Sequence, residues 1–198
     1  MIRIGLTGGV ACGKSTALKI FNELGCATIS ADDITHELMN TNKELIAKIK
    51  QTFNCVNEFG VVDRKKLGKL IFNEPIAKKK LEEMTHPLVK IVRKSFFQTA
   101  ETKGNGIAVC ETPLLFEKNL VAEFDYSVLI VAGLDVRIDR FIAKGKGTQE
   151  DFFNITKNQL LNDKKIAEAD FVIKNNRSRE ELKSEIEKVI ETIRNKKK

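Results

Sequence analysis

Tryptophan is missing, tyrosine occurs once, and aromatic residues do not alternate with basic ones, so the chain offers no stacking platform for nucleic acid and no nucleic-acid partner is expected. It also has no Cys-x-x-Cys pair. Cys12, Cys26, Cys55 and Cys110 are widely separated, which argues against a disulfide framework or a zinc site. No apolar run approaches membrane-spanning length, and no charged segment with a long apolar stretch precedes the strand pattern at Ile2, so a soluble, cytoplasmic protein without a membrane partner is expected. A guanine-reading Asn-Lys-x-Asp is absent too. Asn42-Lys43-Glu44-Leu45 and Asn195-Lys196-Lys197-Lys198 both lack the final Asp, which counts against a GTP-dependent switch. Internal repeats and Pro/Ser-rich linkers are lacking, and 198 residues, 42% of them hydrophobic, predict one domain with an inserted or mobile part.

What the chain has in excess is positive charge, +7 from 34 basic and 27 acidic residues, partly in the runs Lys78-Lys79-Lys80 and Lys196-Lys197-Lys198. Such a balance suits a phosphorylated small substrate, and it equally describes a solvated basic surface.

Near the N-terminus, Gly8-Gly9-Val10-Ala11-Cys12-Gly13-Lys14-Ser15-Thr16 fits the phosphate-loop pattern G-x-x-x-x-G-K-S/T. The apolar run Ile2–Leu6 before it reads as a strand, and Ala17, Leu18, Ile20, Phe21 and Leu24 after it recur at helical spacing. A triphosphate must be held without bulky side chains intervening. Glycines let backbone N–H groups point at the β-phosphate, and the helix starting near Lys14 adds the positive end of its dipole. Lys14 is expected to reach the β- and γ-phosphates, and the Ser15 hydroxyl to take a site on Mg²⁺. A nucleoside triphosphate and Mg²⁺ are the ligands this implies. Gly8, Gly9, Ala11, Cys12, Gly13, Lys14, Ser15 and Thr16 are the candidate nucleotide-binding positions.

Further along, Cys26–Ser30 reads as a second strand, after Gly25 as a helix stop and before Ala31-Asp32-Asp33. Carboxylates at the C-terminal end of a parallel strand face the crevice where ligands bind, whereas Asp also caps helices, and a helix is expected from Ile34. The local pattern admits both catalysis and capping for Asp32 and Asp33. Helical spacing then recurs over 44–53, 64–72 and from Pro75 onward, with Pro87 expected to end or kink the helix near Thr85, so 34–103 reads as all-helical. Strands follow at Ile107–Cys110, Tyr126–Val131 and Phe171–Ile173, with helices at Asp135–Ala143 and Gln149–Leu161 and a flexible basic loop, Lys144-Gly145-Lys146-Gly147, between them. Glu111, ending an apolar strand, loosely fits a second carboxylate on the magnesium side. Ser178, with Glu181 three residues on, opens a last amphipathic helix. The fold class is therefore α/β, a three-layer parallel sheet of about five strands with a phosphate-loop kinase arrangement.

The stretch Gly8 to Asp32, together with Gly60-Val61-Val62-Asp63-Arg64, Thr85-His86-Pro87-Leu88, Pro113-Leu114-Leu115-Phe116-Glu117 and Ala169-Asp170-Phe171-Val172-Ile173-Lys174-Asn175, resembles the dephospho-coenzyme A kinase family over essentially the whole chain. The Pro-Leu-Leu-Phe-Glu and Thr-His-Pro segments are its most specific parts, because other nucleotide kinases share only the loop. The resemblance implies transfer of the ATP γ-phosphoryl group to the ribose 3′-hydroxyl of dephospho-coenzyme A. It makes Asp32 the base, Arg64, His86 and Glu111 substrate-side residues, Asn175 part of the adenine side, and Arg140 part of a lid spanning about 140–158 that closes over the transferring group. A monomer or weak homo-oligomer is expected. This chain departs from the family in having Ser30-Ala31-Asp32 where Asp-Ala-Asp is common, and Lys144 and Asn154 where the lid commonly has arginines, which shifts the clamping onto Arg140. A nucleoside or nucleotide kinase with another acceptor is the alternative, and it leaves Pro113–Glu117 unexplained. Without the resemblance, His86 would be an ordinary helix-end residue, Arg64 a surface partner of Glu58 or Asp63, and Glu117 a local cap or pair.

Overall fold

The computed structural model describes residues 1–156 and 162–196. Five strands, β1 (Ile2–Gly8), β2 (Ala27–Ser30), β3 (Ile107–Glu111), β4 (Tyr126–Val131) and β5 (Phe171–Lys174), form one sheet in the order β2-β3-β1-β4-β5. The sheet is parallel throughout, with Ile4 opposite both Val109 and Tyr126. Strands covered on both faces read as continuous apolar runs, and β3 is buried at every residue. Because β1 has β3 on one side and β4 on the other, its C-terminal end is the point where the strand order reverses, the place where open α/β sheets bind ligands.

The chain divides into two compact units, Met1–Ile29 with Thr99–Lys198, and Ser30–Gln98. In the first, α1 (Lys14–Glu23) buries Ala17, Ile20 and Phe21, and α9 (Arg179–Lys196) buries Leu182, Ile186, Val189, Ile190 and Ile193, in one cluster with Ile4, Leu6, Val109, Val128 and Ile130. Each such side chain contributes about 1.5–3 kcal/mol on leaving water. Gly25 stops α1 as its position predicts. At φ 85° it lets its own N–H reach Asn22 and that of Cys26 reach Phe21, which satisfies the carbonyls left at the helix end. This unit also holds α6 (Leu134–Ala143), α7 (Gln149–Thr156) and α8 (Asn162–Glu168).

The second unit consists of α2 (Ala31–Thr41), α3 (Lys43–Phe53), α4 (Arg64–Asn73) and most of α5 (Pro75–Thr102). It is not wholly helical, since Val56 and Val62 form an antiparallel bridge beneath the Asn57–Gly60 turn. Of the end or kink expected at Pro87, the end does not occur, and α5 continues through it. Proline removes one N–H from the ladder, but Leu81, Val89 and Phe97 bury on either side of it, so packing maintains the helix across the gap. Of the helix expected over 149–161, residues 149–156 are α7, and 157–161 lie outside the described residues.

Candidate active site

β1 ends at Gly8, α1 begins at Lys14, and the five residues between them form the phosphate loop. A Cβ on Gly8 would fall 2.5 Å from the Ile130 carbonyl oxygen on β4, so only glycine fits there. Gly13 stands at φ 95° with Asn175 Nδ2 where a Cβ would be, and Ala11 takes φ 59°, a left-handed conformation that L residues other than glycine seldom adopt. Such alternation turns successive N–H groups into one concavity at the helix start, where an anion is favoured. Lys14 folds over the loop and donates to the Gly9 carbonyl at 3.1 Å. The Ser15 hydroxyl is on the exposed side of the first helical turn, with Thr16 half-buried beside it.

Two further elements converge on the loop. Asn175, buried just past β5, donates from Nδ2 to the Cys12 carbonyl at 2.8 Å, and its backbone N–H donates to Val131. From α6, Arg140 Nη1 donates to the Asn175 carbonyl at 2.9 Å. The sheet thus brings together Cys12, Lys14, Asn175 and Arg140, from stretches separated by more than a hundred residues. Sequence reading missed Arg137, one turn before Arg140 on the same helix, whose Nε donates to the Val10 carbonyl at 2.9 Å. The signal was its i,i+3 spacing from Arg140.

Glu111 is buried at the end of β3, paired in register with Leu6, two residues short of the loop. Beyond it, Thr112 N–H donates to the Leu6 carbonyl and the Thr7 hydroxyl to the Pro113 carbonyl, which ties the Pro113–Glu117 segment to the strand carrying the loop. Glu117 is no local cap. Lys165 Nζ of α8 lies 2.5 Å from its Oε1, with that lysine 1% and that glutamate 12% exposed, and the contact is an ion pair without the alignment of a hydrogen bond. Lys144 is exposed just past α6, and Asn154 is half-buried on α7.

In the helical unit, Ser30 rather than an aspartate caps α2, its Oγ accepting from the Asp33 N–H at 3.3 Å. α2 starts three residues earlier than expected, so Asp32 and Asp33 lie inside the first turn, both exposed, and neither is spent on capping. Arg64 does not pair with Glu58 or Asp63. Asp63 caps α4 by accepting from the Lys66 N–H, and Arg64 Nη2 lies 3.0 Å from Nε2 of His36, which sits one turn beyond Asp32. His86 is exposed within α5, not at a helix end.

Comparison with known proteins points one way. A profile described as dephospho-CoA kinase matches residues 2–181. A dephospho-CoA kinase of Bartonella quintana is 35% identical over 190 residues, covering 96% of this chain and 97% of that protein. Among solved structures, a dephospho-CoA kinase from Campylobacter jejuni superposes with a TM-score of 0.70 at 31% identity, covering 96% of each chain. A Thermus thermophilus protein gives 0.83 at 28% identity, over 96% of this chain and 97% of that one.

Proposed function

The chain belongs to the dephospho-CoA kinase family and is an ATP-dependent phosphotransferase acting on dephospho-CoA in coenzyme A synthesis, and from that premise we propose which residues carry the reaction. The acceptor is the ribose 3′-hydroxyl. Asp32 accepts its proton as the hydroxyl oxygen attacks the γ-phosphorus and ADP departs. Lys14 donates to the β- and γ-phosphate oxygens, and the N–H groups from Gly9 to Thr16 hold the β-phosphate. Arg140 neutralises charge on the group in flight, and Asn175 holds the adenine-side segment against the loop. Arg64, His86 and Glu111 position the acceptor, with about 34–103 as the acceptor-binding insertion and about 140–158 as the lid.

The residues present also fit Mg²⁺. Ser15 presents an exposed hydroxyl with no partner among the described residues, directly after the lysine, and no cluster of three or more carboxylate, histidine or cysteine side chains competes for a metal there. Mg²⁺ held by Ser15 and by phosphate oxygens would supply charge neutralisation.

The observation that carries this reading is the convergence of Lys14, Asn175 and Arg140 on one loop at the sheet's switch point. Its test is phosphate transfer from ATP and Mg²⁺ to dephospho-CoA, run beside adenosine and AMP. Product with dephospho-CoA alone is expected. Product with a rival, or ATP hydrolysis indifferent to acceptor, would leave only nucleotide binding standing.

A further inference from the structure

Arg137 is 8% exposed, yet it has no carboxylate partner among the described residues. Of its five N–H donors only Nε is engaged among the described residues, on the Val10 carbonyl. A buried cation left without a counter-charge is costly, and proteins keep one where an anion completes it.

Three surrounding features hold the guanidinium in place. Its Cζ lies over the Phe152 ring of α7, 5.1 Å from the centroid, which supports the cation without supplying a counter-charge. Phe152 is itself fixed by an edge contact with Phe141, in a cluster against which Val10 and Ala11 pack. Finally, a Cβ on Gly9 would stand 2.8 Å from Nη2 and 3.1 Å from Cζ. The phosphate-loop pattern leaves the residue at Gly9 unspecified, and φ there is not in the left-handed region. Glycine at that position makes room for Arg137.

We propose that Arg137 is a polyphosphate-binding residue of the nucleotide site: Nε fixes the loop through Val10, and the Nη groups bind phosphate oxygens of the nucleoside triphosphate. The proposal rests on nucleotide binding at this loop and goes beyond the roles given above to Lys14 and Arg140. Arg137 also places a second guanidinium at the loop, just before a lid in which lysine and asparagine stand at Lys144 and Asn154.

Equilibrium binding of inorganic triphosphate and of dephospho-CoA to the wild type, Arg137→Gln and Arg137→Lys tests it. Glutamine retains a donor for Val10 but no charge, so triphosphate affinity should fall about ten- to a hundredfold, the worth of a charge-assisted contact, with dephospho-CoA affinity unchanged. Lysine restores charge without the fork and should recover part of that loss. Unchanged triphosphate binding in Arg137→Gln would overturn the proposal, and so would a folded Arg137→Lys as weak as the glutamine variant, because positive charge at this position would then count for nothing. Should Arg137→Gln not fold, the side-chain N–H resonances of Arg137 in the wild type decide: they should shift on adding inorganic triphosphate, and no shift is the contrary result. A wild type that binds triphosphate but phosphorylates no dephospho-CoA would sink the acceptor assignment and leave this one intact. A wild type that binds no triphosphate would sink both.

Discussion

Asp32 shows how a neighbouring residue decides what a carboxylate is free to do. With Ser30 taking the cap, the first-turn aspartates lie near the positive end of α2 without giving their oxygens to its backbone. Asp32→Asn should therefore bind ATP about as the wild type does and lose roughly a hundred- to ten-thousandfold in kcat, the scale of a general base. Asp33→Asn, a surface change, should stay within about twofold. Steady-state kinetics of both variants checks this, and equal losses would remove the assignment of the base to Asp32. The loop itself was legible residue by residue, since each of its constrained positions has a local physical reason. The Arg64–His36 contact and the bond from Arg137 to Val10 were not, because a partner 28 or 127 positions away leaves no local pattern, and the i,i+3 spacing of Arg137 and Arg140 marks a shared helix face but not what that face meets. All four cysteines are free and buried, and burial pushes the Cys26 thiol up to about 11, far from reactive.

At the level of elements, apolar runs placed all five strands, and boundaries shifted by one to three residues, most at α2, whose cap Ser30 lies outside the apolar pattern. α8 was unreadable as a separate helix, because in its seven residues Ile166 is the lone large apolar side chain, and that is 43% exposed. What attaches α8 is its buried lysine. Lys165 and Glu117 join it to the segment after β3, in a region where Leu115, Phe116 and Leu129 also bury. Replacing one member of such a pair leaves the other charge stranded away from water, so Lys165→Met should destabilise the fold by about 3–5 kcal/mol. Pairing it with Glu117→Leu should recover most of that, since an apolar pair of similar volume is often neutral or better. Denaturant unfolding of the two single variants and the double variant closes the cycle. A double variant no more stable than Lys165→Met would show that the pair is not what fastens the helix.

For the whole molecule, strand order is the feature that turns a list of elements into a site. Order β2-β3-β1-β4-β5 sets the ends of β1, β4 and β5 side by side, and so gathers Gly8, Arg140 and Asn175 although they are remote in sequence. The apolar runs announce a parallel sheet but not which strand neighbours which, and the order is legible only in the folded chain. The other whole-molecule property is the net charge of +7, and both substrates are polyanions. A positive field draws them in from a distance, and salt shortens its reach from about 30 Å at 0.01 M to about 8 Å at 0.15 M. Over that range kcat/KM for dephospho-CoA should fall severalfold while kcat stays level, because steering acts on encounter and not on the bound complex, where the charges of the loop are shielded from salt. Initial rates with dephospho-CoA as the varied substrate measure this directly. A flat kcat/KM would mean that the basic excess is a solvated surface with no part in capture, and a fall in kcat of equal size would locate the salt effect in the closed site.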